Sequence, residues 1–196
     1  MALKTRERLI EVARQLFARK GIENTTMNDI ASASDKGRRT VYTYFRNKRD
    51  IFNAVIERET SKLIVKLEEI QQRNISPSDK LHHYIDCRFD TMRELVSRNG
   101  SLKAGFFRDM RKVDRARRII SSREIEILAR ILQEGVDNGD FDIIDVHQTA
   151  TILVHALHGL DVPYIRDNLA DRGYDKTMVK AILAKMVIDG VRTRII

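Results

Sequence analysis

Apolar residues recur at intervals of three and four along almost the whole of this 196-residue chain, and this spacing limits what the chain can fold into. Such intervals place side chains on one face of an α-helix, whereas a half-buried strand needs alternation. The chain has only two prolines and no sustained alternation of apolar with polar residues. We therefore predict an all-α protein of about nine helices.

Start and stop signals divide this pattern into individual helices. Gly21 is placed to end the first helix, and Ser76-Pro77-Ser78-Asp79 combines a cap, a first-turn proline and an early carboxylate. Asn99-Gly100 follows the helix that starts there. The predicted helices span residues 4–20, 26–33, 38–45, 48–73, 76–98, 101–111, 114–136, 145–168 and 175–194.

Residues 25–48 read as a short helix, a tight polar turn and a second short helix. Thr26 is followed three residues later by Asp29, a pair that can satisfy the free N–H groups at a helix start. In the second helix Val41 and Phe45 are four residues apart and are predicted to face inward. Arg38 with Tyr42, and Arg39 with Thr43, would then face outward. This arrangement indicates a helix-turn-helix reader of DNA.

Several motifs in the first 54 residues occur together and in a specific order. They read RLIEVARQLF from Arg8, Lys20-Gly21, TTMNDIA from Thr25 and TVYTYFRNK from Thr40. In this respect the region from about Thr5 to Ala54 resembles the DNA-binding domain of the tetracycline-repressor (TetR) family of bacterial transcription regulators. The resemblance implies an N-terminal three-helix DNA-binding domain, residues 1–48, and a C-terminal helical regulatory and dimerisation domain, residues 49–196.

The outward side chains of the second short helix supply the chemistry for reading DNA. An Arg fork matches the two acceptors of a guanine edge in the major groove, so Arg38 and Arg39 are the predicted base readers. Tyr42, Tyr44 and Lys48 are predicted to contact phosphates, which set register without reading sequence. The complete predicted DNA-binding set is Thr26, Arg38, Arg39, Thr40, Tyr42, Thr43, Tyr44 and Lys48.

The charge distribution agrees with double-stranded DNA as a partner. The chain has 36 Lys and Arg against 28 Asp and Glu, a net charge of +8. Its first 50 residues carry 12 of the basic and 6 of the acidic side chains, so most of the excess lies on the predicted reader. A basic surface kept only for solubility would not need this segregation.

The turn departs from the family's pattern, which usually has Gly-Val-Ser where this chain has Asp35-Lys36-Gly37. A lysine replaces the small apolar residue of the turn, and a glycine replaces the usual hydroxyl cap. Glycine is an acceptable cap, and we expect Asp35 to supply a nearby acceptor. The position that follows is often glycine in the family and is Arg39 here. The family's base preference is therefore not carried over to this chain.

The last two predicted helices are the most apolar, and the family uses the corresponding pair to form a homodimer as a four-helix bundle. The resemblance thus implies a palindromic operator and an interface that includes Leu153, Leu157, Leu160, Ile182, Leu183, Met186 and Val187. An ordinary intramolecular core is the alternative for these stripes. The family also binds a small-molecule effector among its middle helices, where Phe89, Met92, Phe106, Met110 and His155 are candidate lining residues.

Two other clusters have open interpretations. Seven basic residues lie between 108 and 123, and they are either a solvated face, a second nucleic-acid surface or a basic mouth for an anionic ligand. The spacing of His155, His158 and Asp161, and of His82, His83 and Asp86, would suit a metal, but packed or hydrogen-bonded side chains are the preferred reading. No motif for catalysis or for a cofactor is present, so neither is predicted.

The single cysteine, Cys87, cannot form an internal disulfide, and no signal peptide or membrane span is evident, which predicts a cytoplasmic protein. The predicted function is a homodimeric transcription regulator, a repressor released from its operator by a small molecule. Two alternatives remain. One is a DNA-bound adaptor whose C-terminal domain binds a protein and no small ligand, and the other is a helical-bundle enzyme that uses His155, His158 or His82.

Overall fold

The computed structural model describes residues 2–98, 114–165, 173 and 175–193. Eight α-helices and no strand lie within these residues, which confirms the predicted all-α class. In chain order the helices are α1 (Ala2–Lys20), α2 (Met27–Ala33), α3 (Arg38–Tyr44), α4 (Lys48–Gln71), α5 (Pro77–Arg98), α6 (Asp114–Asp137), α7 (Val146–Ile165) and α8 (Lys176–Val191). The predicted helix at 101–111 lies outside the described residues.

The described chain divides into two compact units. The N-terminal unit contains residues 2–61 with 94–98 and 114–117, and the C-terminal unit contains 62–93 and the described residues from 118 onward. Helix α4 contributes residues to both units, because the boundary falls between Ser61 and Lys62.

The core of the N-terminal unit is built from the inner faces of α1 to α4. Leu9, Ala13 and Phe17 of α1 are fully buried, as the three-and-four spacing predicts. The ring of Phe17 meets that of Phe52 on α4 edge to face, with centroids 6.0 Å apart. Burial of one such large apolar side chain contributes about 1.5–3 kcal/mol. The first residues of α4 therefore complete the core on which α2 and α3 rest.

Helix α5 starts where the sequence predicts. The Ser76 hydroxyl accepts a hydrogen bond from the Asp79 N–H at 3.1 Å and donates one to the Asp79 carboxylate at 2.7 Å. Further along the C-terminal unit, the ammonium of Lys80 on α5 binds both carboxylate oxygens of Glu134 on α6, at 2.7 and 2.8 Å. Lys80 is only 4% exposed, so this pair fixes α5 against α6.

The chain after α6 is held by the residues that follow α8. Phe141 packs onto Gly135, where an added Cβ would lie only 2.0 Å from the ring, so this position requires glycine. Phe141 also forms an isolated antiparallel bridge with Arg192, and the Thr193 N–H donates to the Asp140 carbonyl at 2.9 Å. This pairing explains why α8 ends at Val191, three residues before the predicted end. None of the described helices combines the length and apolar character needed to cross a membrane.

Candidate nucleic-acid interface and regulatory core

Helix α2 begins with the predicted reciprocal cap. The Asp29 N–H donates to the Thr26 hydroxyl at 3.1 Å, and the Thr26 N–H donates to the Asp29 carboxylate at 2.9 Å. The hydrogen bond that the Thr26 N–H donates to the carboxylate, and then one with the Thr26 side chain, hold the pKa of Asp29 below its usual value. The Thr26 side chain therefore caps the start of α2, and Thr26 itself is exposed.

The turn between α2 and α3 closes as a Schellman motif with Asp35 in the left-handed position. Asp35 has a φ of 54°, the Lys36 N–H donates to the Ala31 carbonyl at 3.0 Å, and the Asp35 N–H donates to the Ser32 carbonyl at 3.3 Å. The family's usual glycine adopts this conformation without the strain that a Cβ brings. Asp35 thus occupies a position that favours glycine.

The expectation that Asp35 supplies an acceptor at the start of α3 is wrong. Its carboxylate accepts a hydrogen bond from the Arg8 guanidinium at 2.9 Å, and Gly37 caps α3 without a side-chain hydrogen bond. The reason is the left-handed turn, in which the Asp35 side chain pairs with α1. Asp35 and Arg8 are both largely exposed, so their ion pair is weak.

The two predicted faces of α3 are present. Val41 and Phe45 are buried at 0% and 4% exposure, whereas Arg38, Arg39, Tyr42 and Thr43 are exposed. Thr40 and Tyr44 are half-buried, and Tyr44 packs against the core of the unit. Helix α3 is therefore anchored by one face and presents two arginines on the other. A DNA major groove is wide enough to admit a helix such as α3, which has seven residues.

Among the predicted DNA-binding residues, Lys48 has an internal role in the described structure. Its ammonium donates to the carbonyls of Ile22 and Glu23, at 2.6 and 3.2 Å. Those carbonyls belong to the loop between α1 and α2, so Lys48 connects the start of α4 to that loop. The sequence pattern placed Lys48 beside the reader but contained no signal for this contact across 26 residues.

The C-terminal unit contains a buried ionic network that no local motif indicated. Arg88 on α5 is 1% exposed and donates to both oxygens of Asp161 on α7, at 2.8 and 2.9 Å. It also donates to Glu124 on α6 at 3.0 Å, and His158 lies 2.6 Å from the other oxygen of Glu124. We call Arg88, Glu124, His158 and Asp161 the Arg88 network; it joins three helices through one guanidinium.

Burial and opposite charge compete within the Arg88 network. Burial alone would raise the pKa of Glu124, but the Arg88 guanidinium and the hydrogen bond with His158 lower it below its usual value. Burial, and then the charge of Glu124, raise the pKa of Tyr84 well above its usual value. The Tyr84 hydroxyl is buried beside these charges and has no hydrogen-bond partner among the described residues. Most buried polar side-chain atoms have at least one hydrogen-bond partner, so the Tyr84 hydroxyl is an exception in this core.

The predicted effector-binding residues fall into three groups. Phe89 and Met92 are buried at 0% and 6% exposure, and the Phe89 ring lies 4.8 Å from the ring of Tyr164. His155 is exposed on α7, and Phe106 and Met110 lie outside the described residues. A surface groove of about 650 Å³ between the end of α6 and the start of α7 is lined by none of the three described candidates, Phe89, Met92 and His155.

The predicted dimer-interface residues differ in exposure. Met186 and Ile182 on α8 are exposed at 66% and 45%, and Leu153, Leu160, Leu183 and Val187 are half-buried. Leu157 is 4% exposed and is therefore buried within its own chain. Two exposed apolar residues on the same helices, Ile152 and Met178, were missed because they lie outside the stripes counted from the sequence. Exposed apolar side chains are thus present on both α7 and α8.

The two histidine clusters are engaged in other contacts. His158 binds Glu124 and Asp161 binds Arg88, while His82 lies 3.3 Å from Asp86. Within the described part of the chain, no group of three His, Cys, Asp or Glu side chains is arranged to hold a metal ion.

Comparison with known proteins agrees with this geometry. Residues 9–55 match the model of the family described as bacterial regulatory proteins, tetR family. An uncharacterized HTH-type transcriptional regulator of Bacillus subtilis, YfiR, is 27% identical over 76% of this chain and 73% of its own. A probable acrEF/envCD operon repressor of Escherichia coli is 50% identical over 52 residues, which are 26% of this chain and 24% of the repressor.

Solved structures extend the likeness over the whole chain. The crystal structure of a transcriptional regulator from Cytophaga hutchinsonii has a TM-score of 0.74 and 29% identity, over 95% of this chain and 98% of that one. The capped α2 and the exposed arginines of α3 agree with these matches. Residues 9–55 are therefore a helix-turn-helix domain of the TetR family of bacterial transcription regulators.

Proposed function

We propose that this protein is a homodimeric repressor that reads a palindromic operator with α3 and leaves it when a small molecule binds the C-terminal unit. The observation that carries the proposal is the two-faced α3, with Val41 and Phe45 buried and Arg38 and Arg39 exposed. The family membership, and the relative described as a probable operon repressor, support the repressor role.

Within this proposal residues 1–48 bind DNA and residues 49–196 regulate and dimerise. The exposed residues of α3 enter the major groove, and Arg38 and Arg39 read base edges. Thr40 and Tyr44 on the half-buried side of α3, and Thr26 and Lys48 beside it, act as phosphate contacts or as supports of the helix. The effector lies near Phe89, Met92, Phe106, Met110 and His155, and helix α4, which contributes to both units, transmits its effect to the reader.

The homodimer part of the proposal rests on the exposed apolar side chains of α7 and α8. Sedimentation equilibrium tests it with Met186→Glu, which puts a charge into the proposed interface. We expect the wild type to be a dimer and this variant to be a monomer with weakened operator binding. Val65→Glu is the matched control, because Val65 is an apolar residue of similar exposure, 52%, on α4. A Met186→Glu protein that remains dimeric would place the interface elsewhere.

The release part is tested by a ligand screen on the protein bound to its operator. We expect at least one small molecule to lower operator affinity by roughly 5- to 150-fold, the range that a coupling free energy of about 1–3 kcal/mol produces. Release without any change in unfolding temperature would indicate that the compound acts on the DNA. A protein that no compound releases, and whose C-terminal unit binds another protein, would be the DNA-bound adaptor instead.

A further inference from the structure

The exposed face of α3 contains one organised pair of side chains. The guanidinium carbon of Arg38 lies 5.5 Å from the ring centre of Tyr42, one helical turn later, and Tyr42 is 41% exposed. This distance is within the range of a cation–π contact. Among the described residues Arg39 has no such aromatic partner, and its carbonyl accepts a hydrogen bond from Thr43. The two neighbouring arginines are thus held differently.

An arginine reads a base better if its guanidinium already has the required orientation before DNA binds. A guanine edge is recognised by two parallel N–H donors of a planar fork, so the guanidinium must have one orientation. Fixing a long side chain during binding costs affinity, about two- to tenfold for one rotamer-rich side chain. A tyrosine ring has only two rotatable bonds and can hold the guanidinium plane before DNA arrives.

We propose that Tyr42 is a positioning residue whose ring holds the Arg38 guanidinium ready to read a guanine edge in the major groove. The inference rests on the proposed function, because it requires α3 to enter that groove. In this proposal Tyr42 acts through its aromatic ring, whereas a contact with phosphate would use its hydroxyl. It also makes Arg38 the preorganised reader of the pair.

Equilibrium titrations of labelled duplexes test this proposal with Tyr42→Phe, which keeps the ring, and Tyr42→Leu, which removes it. The selected operator, its single-base variants and a random duplex are the ligands. We expect Tyr42→Phe to bind within about twofold of wild type, and Tyr42→Leu to lose about two- to tenfold on the operator. Tyr42→Leu should reduce discrimination between bases at the same operator position at which Arg38→Ala reduces it. Binding to random duplex should not change.

Double variants provide the matched controls. In an Arg38→Ala protein, adding Tyr42→Leu should not lower operator affinity further. In an Arg39→Ala protein, adding Tyr42→Leu should lower operator affinity as much as it does in the wild type. A loss in Tyr42→Phe equal to that in Tyr42→Leu, with a salt slope lowered by about one, would overturn the proposal in favour of a hydroxyl contact with phosphate. An equal loss from Tyr42→Leu in the Arg38→Ala protein would also overturn it.

A measurement without DNA separates this inference from the proposed function. In the nuclear magnetic resonance spectrum of the free protein, the side-chain protons of Arg38 should show ring-current shifts that Tyr42→Leu abolishes and Tyr42→Phe retains. Unshifted Arg38 protons would overturn the inference even if the protein selects an operator. A shifted Arg38 in a protein with no sequence preference would overturn the proposed function, and the reading role of Arg38 with it.

Discussion

At the scale of single residues, Asp35 is the most informative departure from the family's pattern. It occupies the left-handed position of the α2–α3 turn with a φ of 54°, and its carboxylate pairs with Arg8 on α1. A side chain with a Cβ is strained in this conformation, although Asp tolerates it better than most. The turn therefore keeps its shape with a residue that costs stability.

Substitution at Asp35 should separate the backbone cost from the ion pair. Neither Asp35→Gly nor Asp35→Ala can pair with Arg8, so the two proteins differ only in the tolerance of the left-handed conformation. We expect the glycine variant to be more stable by about 1–2 kcal/mol in urea unfolding. Gly21→Ala, at a φ of 83° in open space, should show a loss of the same size. Equal stabilities of the two Asp35 variants would contradict the strain.

Lys48 is the residue whose predicted and observed contacts differ most. Its ammonium donates to two carbonyls of the α1–α2 loop, and the proposal also gives it a phosphate. We expect Lys48→Ala to lower stability by about 1.5–3 kcal/mol, since hydrogen bonds from a charged donor are lost. If the ammonium also reaches a phosphate, the salt slope of DNA binding should fall by about one. An unchanged slope would limit Lys48 to positioning the loop.

At the scale of elements, the link between α1 and α4 should make the N-terminal unit sensitive to acid. The carboxylate of Glu11 accepts hydrogen bonds from Arg14 on α1 and from Arg58 on α4. The hydrogen bond with Arg14, and then that with Arg58, hold the pKa of Glu11 at about 2 against the opposing effect of burial. Because this pKa is lowered on folding, the contribution to stability is complete above pH 4.5 and is lost as pH falls towards 2.

Comparison of wild type with Glu11→Gln between pH 6 and pH 3 measures that contribution. We expect the difference in unfolding free energy to be largest at pH 6 and to shrink as pH falls. Arg58→Gln, alone and combined with Glu11→Gln, should be non-additive, because both changes break one contact. A difference that stays constant with pH would mean that Glu11 does not titrate with the fold.

The helices themselves could be predicted largely from local signals. The Thr26 cap, the Ser76-Pro77 start and the three-and-four spacing act within one or two turns, so the predicted bounds lie close to the observed ones. The end of α8 was predicted three residues too late, whereas the predicted end of α7 lies outside the described residues. For α8 the cause is the bridge between Arg192 and Phe141, a pairing across about 50 residues that no local pattern contains.

At the scale of the whole molecule, the parts that the sequence did not predict are contacts between distant residues. Arg88, Glu124 and Asp161 lie on three helices, and nothing near any of them indicates the others. Spacing grouped His155, His158 and Asp161, but the structure directs His158 and Asp161 to different partners. Similarly, an apolar stripe indicates that a helix face is covered, but it does not show whether the same chain or a second subunit covers it. The sequence therefore could not show that Leu157 is buried within its own chain.

The Arg88 network should dominate the stability of the C-terminal unit. Arg88→Leu leaves the buried carboxylates of Glu124 and Asp161 without their guanidinium, and we expect a loss of about 3–5 kcal/mol in chemical unfolding. The control is Arg93→Leu on the same helix, whose side chain is 47% exposed and lies 3.9 Å from Asp90. That change should cost less than about 1 kcal/mol. Equal costs for the two variants would show that the network adds nothing.

The proposed function requires α3 to read a specific operator as part of a two-fold symmetric dimer. Selection of bound sequences from a random duplex pool, at moderate salt, tests it most directly. We predict an inverted repeat with half-sites about one helical turn apart. Arg39→Ala should relax one position in each half-site, at a cost of about 1–3 kcal/mol. Retention that is weak, wholly dependent on salt and without any consensus would contradict the claim.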